Sequence, residues 1–269
     1  MDFFRDMYLK NIIIWNFDWG GSTNRRFCSH EYVFWFTKKK DKYTFNLDDV
    51  KVPALNYRPD RYKTQLKNPT DVWKIPLVSG NSPERTDHPA QYPEELIERI
   101  IKVGTNPGDL VLNPFMGSGT TAAVAKKLGW GTNWKKNILR SQKNGYKMAT
   151  QPYFKKAQPN VHQVKDCFYT IAECVETMKG MKKHSVNTMV TSPPYNLNKQ
   201  YGKYDDDRSF AEWEDLIIRV ADAAYDVLTE DGSFLLNVSP VPDKKTKEIG
   251  PLDALAIHHF QEAWLLLAE

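Results

Sequence analysis

The sequence predicts an α/β fold: a mostly parallel sheet with helices on both faces and one antiparallel hairpin. Runs rich in β-branched and aromatic residues alternate with segments of helical periodicity, which is the pattern of strands joined by crossover helices. Two such runs near the N-terminus, NIIIWNF and EYVFWFT, flank a connection with a glycine pair, Gly20-Gly21. Two further short strands run directly into turns, one rich in glycine and one containing two consecutive prolines.

The elements follow from local signals. The helix from Pro93 has Pro at its first position and Glu94 and Glu95 in its first turn, and Gly104 can cap its end. Ser209 and Glu212 form a capping box for the longest helix. The predicted strands are 11–17, 31–37, 110–112, 186–190 and 233–238, residues 164–171 pass from strand to helix, and the helices are 93–104, 120–128, 210–228 and 252–267.

Composition bounds the function only loosely. The chain has 269 residues, a net charge of +4 and a sequence pI of about 8.7, which is compatible with a polyanionic partner. Its 3 Cys, Cys28, Cys167 and Cys174, lack disulfide or zinc spacing, so no metal is expected. The sequence shows neither a signal-peptide pattern nor an apolar run of membrane-spanning length, and a cytoplasmic location is expected.

The glycine turn is NPFMGSGTT, residues 113–121, between a strand and a helix. Gly117 and Gly119 allow a ligand to approach the backbone, and the helix start suits an anionic group. No Lys follows the glycines, so a phosphate-binding P-loop is excluded. Gly117, Gly119 and Ala122 fit a dinucleotide fingerprint, but the acidic residue expected about twenty positions on is missing. The methionine end of S-adenosylmethionine, or a merely structural turn, remains open.

The second turn is TSPPYN, residues 191–196. Two prolines beside Ser and Asn are common in ordinary loops, so the turn alone indicates little. The fixed φ of the two prolines also makes this turn suitable for holding hydrogen-bond acceptors in place.

Together, the two turns resemble motifs of the DNA amino-methyltransferases, which methylate the exocyclic nitrogen of cytosine or adenine with S-adenosylmethionine. Residues 113–121 resemble the cofactor loop, although the family usually has Asp at the position of Asn113, and residues 191–196 resemble the catalytic motif. HPAQYPEEL, residues 88–96, resembles the segment before the cofactor loop, and 165–167 resembles the start of the catalytic half. The resemblance implies a Rossmann-like methyltransferase fold.

The resemblance also implies the site residues. Ser192, Pro193, Pro194 and Tyr195 would be catalytic: the Ser192 hydroxyl and the Pro193 carbonyl accept hydrogen bonds from the target amine, and Tyr195 stacks on the flipped base. The cofactor would contact His88, Pro89, Asn113, Pro114, Phe115, Gly117, Ser118, Gly119, Thr120, Thr121 and Asp166. Ser before Pro-Pro is the family's commoner form for cytosine N(4), and adenine N(6) stays open.

Two features depart from the family pattern. The order of the segments suggests a circular permutation or a joining of two gene pieces: 1–47 hairpin of the catalytic half, 48–87 irregular insertion with possible target recognition, 88–134 cofactor half, 135–161 basic linker, and 162–269 catalytic half. The stretch GWGTNWKK, residues 129–136, lacks the acidic residue that usually holds the ribose, and Asn133 is the nearest polar substitute. Weak cofactor binding is therefore expected.

Double-stranded DNA is the expected partner, in a restriction–modification or phage context, and a homodimer is left open. Arg25, Arg26, Lys38, Lys39 and Lys40 are the candidate phosphate contacts, against the alternative of a solvated charged face. The competing functions are a catalytically weak DNA-binding relative, a methyltransferase acting on RNA or protein, and, remotely, an NAD(P)-dependent oxidoreductase.

Overall fold

A computed structural model describes residues 7–17, 29–54, 65–88, 90–128, 161–164, 167–170, 172–194 and 209–239. The α-helices are α1 (Glu94–Gly104), α2 (Thr120–Leu128), α3 (Cys174–Gly180) and α4 (Phe210–Val227). The strands are β1 (Tyr8–Asn16), β2 (His30–Thr37), β3 (Val52–Pro53), β4 (Leu66–Lys67), β5 (Val72–Lys74), β6 (Val111–Leu112), β7 (Val161–Val164), β8 (Cys167–Thr170), β9 (Val186–Thr191) and β10 (Leu228–Val238). A short 3-10 helix spans Leu47–Val50.

The main sheet confirms the predicted fold class. Its strand order is β5-β1-β2-β10-β9-β6, with β5, β1, β10, β9 and β6 running in one direction and β2 antiparallel to both its neighbours. The hairpin of β1 and β2 thus pairs through β2 with β10, a strand about two hundred positions later in the chain. Widely separated parts of the chain therefore complete one sheet.

Strand β2 shows how the sheet separates two hydrophobic layers. Phe34 and Phe36 are fully buried on the face that α3 and α4 cover, whereas Val33 and Trp35 are buried on the face that α1 and α2 cover. This alternation is the period of two that a strand buried on both faces requires. The helices lie on both faces of the sheet, as predicted.

Most predicted elements agree with the structure within a few residues. The capping box of α4 is present: Ser209 accepts from the backbone N–H of Glu212, and the Glu212 side chain accepts from the Ser209 backbone. Helices α1 and α2 end close to their predicted bounds. The predicted helix over 252–267 lies outside the described residues.

Three predictions of secondary structure were wrong. The region 48–87 is not wholly irregular, because β5 pairs in parallel with β1 and places Trp73, which is 4% exposed, beside Trp15. A three-residue strand is too short to show a period in sequence. The segment expected to pass from strand to helix is a hairpin of β7 and β8, and the predicted Asp231-Gly232 turn lies inside β10 at a register shift.

Within the described ranges, no helix combines the length and apolar character needed to cross a bilayer.

Candidate active site

The two sequence motifs end neighbouring parallel strands. Strand β6 pairs with β9, with Leu112 opposite Met189, so Asn113 and Ser192 both follow strand ends at the same edge of the sheet. The carboxyl edge of parallel strands is where α/β folds bind ligands, at the points where crossovers diverge. The fold therefore brings the glycine turn and the proline turn to one site, which we call the catalytic edge.

Asn113 links the two turns through a buried side-chain network. Its Nδ2 donates to Tyr92 Oη at 2.6 Å and to Thr121 Oγ1 at 2.9 Å. Its Oδ1 accepts from the backbone N–H of Phe115 at 3.1 Å and from Thr191 Oγ1 at 3.0 Å. Because the Phe115 N–H can only donate, it fixes which end of the amide is oxygen. We call Tyr92, Asn113, Thr121 and Thr191 the Asn113 network.

Burial makes this network a neutral one. The phenol of Tyr92 lies 2.8 Å from Thr121 Oγ1 and is 8% exposed. Burial raises the pKa of Tyr92 to about 12, since a phenolate is poorly solvated there, and the hydrogen bonds from Thr121 and Asn113 oppose the shift only in part. The network is therefore uncharged throughout the physiological range.

The glycine turn has the backbone that its sequence suggested. Gly117 and Gly119 have φ of +52° and +78°, in the left-handed region that favours glycine. The His88 ring lies over Gly117, with Cε1 and Nε2 3.2 Å from where a Cβ would stand. His88 Nδ1 accepts from the Ala90 N–H at 3.2 Å, so a neutral His88 carries its proton on Nε2.

The rest of the turn leads into α2. Ser118 Oγ lies 2.8 Å from Thr120 Oγ1. Around Gly119, no heavy atom stands within 4 Å of the position of an added Cβ, so there is open space beside the backbone where the helix begins. Phe115 packs against the core on the side of α3 and α4, while Pro114 is half-buried.

The proline turn is held by a side chain from α4. The Trp213 indole N–H donates to the Pro194 carbonyl at 2.7 Å, and Trp213 is 5% exposed. Pro193 is buried and Ser192 is half-buried. The indole of α4 therefore holds the last described residue of the proline turn through its carbonyl.

Three residues of the site, Tyr92, Thr191 and Trp213, were not predicted from the sequence. Tyr92 and Thr191 lie inside the quoted motifs, where the resemblance gave them no role, and Trp213 lies inside the predicted helix 210–228. The available signal was chemical: a buried Trp or Tyr needs a partner for its polar atom. Sequence alone did not show which partner.

The lysine triplet lies at the other edge of the sheet, which corrects a prediction. Thr37 at the end of β2 pairs with Ser233 of β10, which in turn pairs with Thr188 of β9. Thr188 lies three residues before Thr191, which is about 10 Å from the catalytic edge at roughly 3.3 Å per residue. Because β2 runs antiparallel to β9, the chain moves away from the catalytic edge as it continues to Lys38, Lys39 and Lys40. A lysine run does not show in sequence which edge it will occupy.

Lys38 has a structural role instead. It is 3% exposed, and its ammonium donates to the carbonyls of Tyr225 at 2.7 Å and Leu228 at 2.9 Å. Burial lowers the pKa of Lys38, although Glu230 and Asp226 oppose that shift. Lys39 is exposed and pairs with Glu230 at 3.3 Å. Lys38 therefore cannot serve as a phosphate contact in this arrangement.

Several predicted site residues lie outside the described residues: Pro89, Tyr195, Asp166, Arg25, Arg26, and the stretch 129–136 with Asn133. The described residues that flank the two arginines, Phe17 and Ser29, are joined by a backbone hydrogen bond of 2.9 Å at the catalytic edge.

Comparison with known proteins defines the class. The family model N6_N4_Mtase, described as DNA methylase, matches residues 1–144 and 186–268, which is most of the chain. The protein therefore belongs to this DNA methylase family, as the two motifs predicted. The proposed circular permutation stays a prediction.

Individual relatives match over part of their length. The type II methyltransferase M.BglII of Bacillus subtilis is 43% identical over 133 residues, covering 45% of this chain and 37% of that protein. The DNA adenine methyltransferase YhdJ of Escherichia coli (strain K12) is 38% identical over 130 residues, covering 44% of each. The chain thus spans less than half the length of these two relatives. A crystal structure of an M1.HpyAVI–SAM complex is 31% identical over 46% of this chain and 53% of that one, with a TM-score of 0.30.

Proposed function

We propose that this protein transfers a methyl group from S-adenosylmethionine to the exocyclic amino group of a base in DNA. The observation that carries the proposal is the meeting of two turns at the ends of β6 and β9, joined by the Thr191–Asn113 hydrogen bond of 3.0 Å. The family membership and the names of the relatives support it.

The residues of the glycine turn fit this cofactor. Gly117 and Gly119 both have positive φ, and Gly117 is exposed. At Gly119, which is buried, no heavy atom stands within 4 Å of an added Cβ, so there is room beside the backbone where α2 begins. We propose that the cofactor is held by His88, Pro89, the glycine turn apart from Met116, and Asp166. When bound, S-adenosylmethionine supplies a methyl group on a positively charged sulfur, which an aromatic face such as Phe115 would stabilise.

The proline turn would activate the amine. An exocyclic amine is a weak nucleophile because its lone pair is delocalised into the ring, and acceptors that hold its hydrogens favour a tetrahedral nitrogen. Ser192 Oγ and the Pro193 carbonyl would be those acceptors, pre-placed by the fixed φ of the prolines. The bound cofactor would supply the methyl carbon, with its sulfur as the leaving group, and these two acceptors would hold the amine hydrogens until one proton leaves to water. Ser192 is too weak a base to remove that proton beforehand.

The base would reach this turn by leaving the duplex. Unstacking costs a few kcal/mol, which stacking on Tyr195 at about 1–3 kcal/mol would largely offset. We favour cytosine N(4) as the target because Ser precedes the two prolines. Adenine N(6) is the second candidate, since one relative is named an adenine methyltransferase.

The DNA would lie along the catalytic edge. Arg25 and Arg26 belong to the segment between Phe17 and Ser29, both at that edge, and we propose them as phosphate contacts. The region 48–87 is the candidate for target recognition.

A weakly active relative is the second functional candidate. It rests on the stretch GWGTNWKK, which offers Asn133 instead of an acidic residue for the ribose. Calorimetric titration with S-adenosylmethionine separates the two: a low-micromolar or tighter dissociation constant contradicts weak binding.

Radiolabelled methyl transfer to mixed-sequence DNA tests the proposal. The wild-type protein should incorporate label, and Ser192→Ala should reduce incorporation by at least about ten-fold, because it removes a pre-placed acceptor. Ser185→Ala, just before the other end of β9, is the matched control and should match wild type. Background incorporation by the wild-type protein, with DNA binding retained, would favour the weakly active relative.

A further inference from the structure

We propose that the Asn113 network is a positioning device that fixes the distance between the cofactor loop and the amine acceptors. The inference rests on the proposed function and deepens it. Tyr92, Asn113, Thr121 and Thr191 would act through the groups beside them and would not themselves touch the reacting atoms.

Every polar atom of the Asn113 side chain, at the centre of the network, has its hydrogen-bond partners. Both amide hydrogens of Asn113 are donated and its oxygen accepts two hydrogen bonds, which uses every polar atom of the side chain. A completely satisfied buried network specifies one arrangement, because any shift leaves a buried polar atom without a partner.

Its members come from four separate parts of the fold. Tyr92 stands just before α1, Asn113 follows β6, Thr121 lies in the first turn of α2, and Thr191 ends β9. They are 8%, 8%, 3% and 0% exposed, respectively. Buried hydrogen bonds, and not solvent-exposed contacts, therefore join the start of α1, the glycine turn, α2 and the end of β9.

The positions along the chain connect the network to the chemistry. Thr191 is bonded through its backbone to Ser192, and Asn113 and Thr121 stand at the two ends of the glycine turn. A displacement of β9 relative to β6 would move Ser192 Oγ and the Pro193 carbonyl relative to the methyl donor. A misplacement of about 1 Å can reduce a rate by about a hundred-fold.

Strand β9 contains its own matched control. Thr188 is as buried as Thr191, at 0% exposure, and its Oγ1 donates to the Gly104 carbonyl at 2.6 Å. That bond ties β9 to the end of α1 but has no part in the network. Replacing either threonine with valine removes one buried hydroxyl from the same strand with little change of volume.

The experiment compares Thr191→Val, Thr191→Ser and Thr188→Val. We expect Thr191→Val to lower kcat by about ten-fold or more, with the dissociation constant for S-adenosylmethionine changed less than about three-fold. Thr191→Ser, which keeps the hydroxyl, should restore most of kcat. Thr188→Val should lower the melting temperature to a similar extent, with kcat at 25 °C within about two-fold of wild type.

The outcomes separate the two proposals. An active wild type whose Thr191→Val and Thr188→Val variants show equal kcat would overturn the positioning role alone and leave the network a structural one. A wild type that methylates no DNA would overturn the proposed function, and this inference with it. A selective loss of kcat in Thr191→Val, rescued by serine, would support the inference.

Discussion

At the scale of single residues, Tyr92 ties the pH response of the fold to the candidate site. Its hydroxyl accepts from Asn113 at 2.6 Å and lies 2.8 Å from Thr121 Oγ1 inside the protein. Burial raises its pKa to about 12 from the ordinary 10. An unfolded chain therefore releases this proton at lower pH than the folded one.

Between pH 10 and about 12, the raised pKa predicts a loss of stability. The stabilising contribution of Tyr92 is fully present below pH 10, where the phenol is protonated in both the folded and the unfolded chain. It is lost as pH rises, because the phenol of the unfolded chain ionises first. Urea denaturation at pH 9, 10 and 11 should show the unfolding free energy of wild type falling faster than that of Tyr92→Phe. The difference approaches on the order of 2–3 kcal/mol at complete titration, and parallel pH profiles would contradict the assignment.

Gly117 gives a second residue-scale prediction. At φ +52°, with the His88 ring 3.2 Å from the Cβ position, alanine meets both backbone strain and a close contact. Gly117→Ala should cost about 1–2 kcal/mol of stability from the left-handed backbone and should weaken S-adenosylmethionine binding measured by calorimetry. Gly80→Ala is the control, since Gly80 has no heavy atom within 4 Å of an added Cβ. Equal effects of the two would contradict the proposed loop geometry.

At the scale of elements, α4 controls the proline turn through one indole. Trp213 bonds the Pro194 carbonyl at 2.7 Å and connects the residue before Tyr195 with the first turn of α4. Packing of α4 on the sheet is thereby linked to the position of the proline turn.

Trp213→Phe should therefore reduce methyl transfer more than it reduces stability. Phenylalanine retains an aromatic ring in the core but leaves the Pro194 carbonyl without its donor. We expect kcat to fall by about ten-fold. Trp35→Phe is the matched control: Trp35 is 3% exposed and donates to Ser233 Oγ at 3.0 Å, but from β2 in the middle of the sheet. If both variants lose kcat equally, Trp213 has no special role.

The elements also show how far sequence could predict this protein. Strands β1 and β2 were predicted correctly from their long β-rich runs, and the start of α4 from its capping box. Strand β5 was missed because three residues carry no period, and its pairing with β1, which buries Trp73, is visible only in the folded chain. The two turns were predictable as motifs, but the Asn113–Thr191 bond that joins them depends on strand order.

At the scale of the whole molecule, the sheet brings the candidate site and the proposed phosphate contacts to one edge. The catalytic edge holds the glycine turn and the proline turn. It also holds Phe17 and Ser29, the residues that flank the segment 18–28. The lysines after β2 lie at the opposite edge, and Lys38 is buried there. Phosphate contacts should therefore come from one edge only.

Charge variants test this orientation. The double variant Arg25→Ala/Arg26→Ala should weaken DNA binding and lower the slope of log K against log salt by about 0.9 for each lost phosphate contact. The double variant Lys39→Ala/Lys40→Ala removes the same charge from the other edge and should leave the slope unchanged. Titrations of labelled duplex at several salt concentrations measure both, and a reversed pattern would place the DNA at the lysine edge.

Mass spectrometry of nucleosides tests the proposed methyl transfer most directly, on mixed-sequence DNA incubated with the protein and S-adenosylmethionine. We expect a methylated exocyclic amine, N(4)-methylcytosine rather than N(6)-methyladenine, in an amount that Ser192→Ala strongly reduces. Unmodified nucleosides, or a methyl group at a ring carbon, would contradict it.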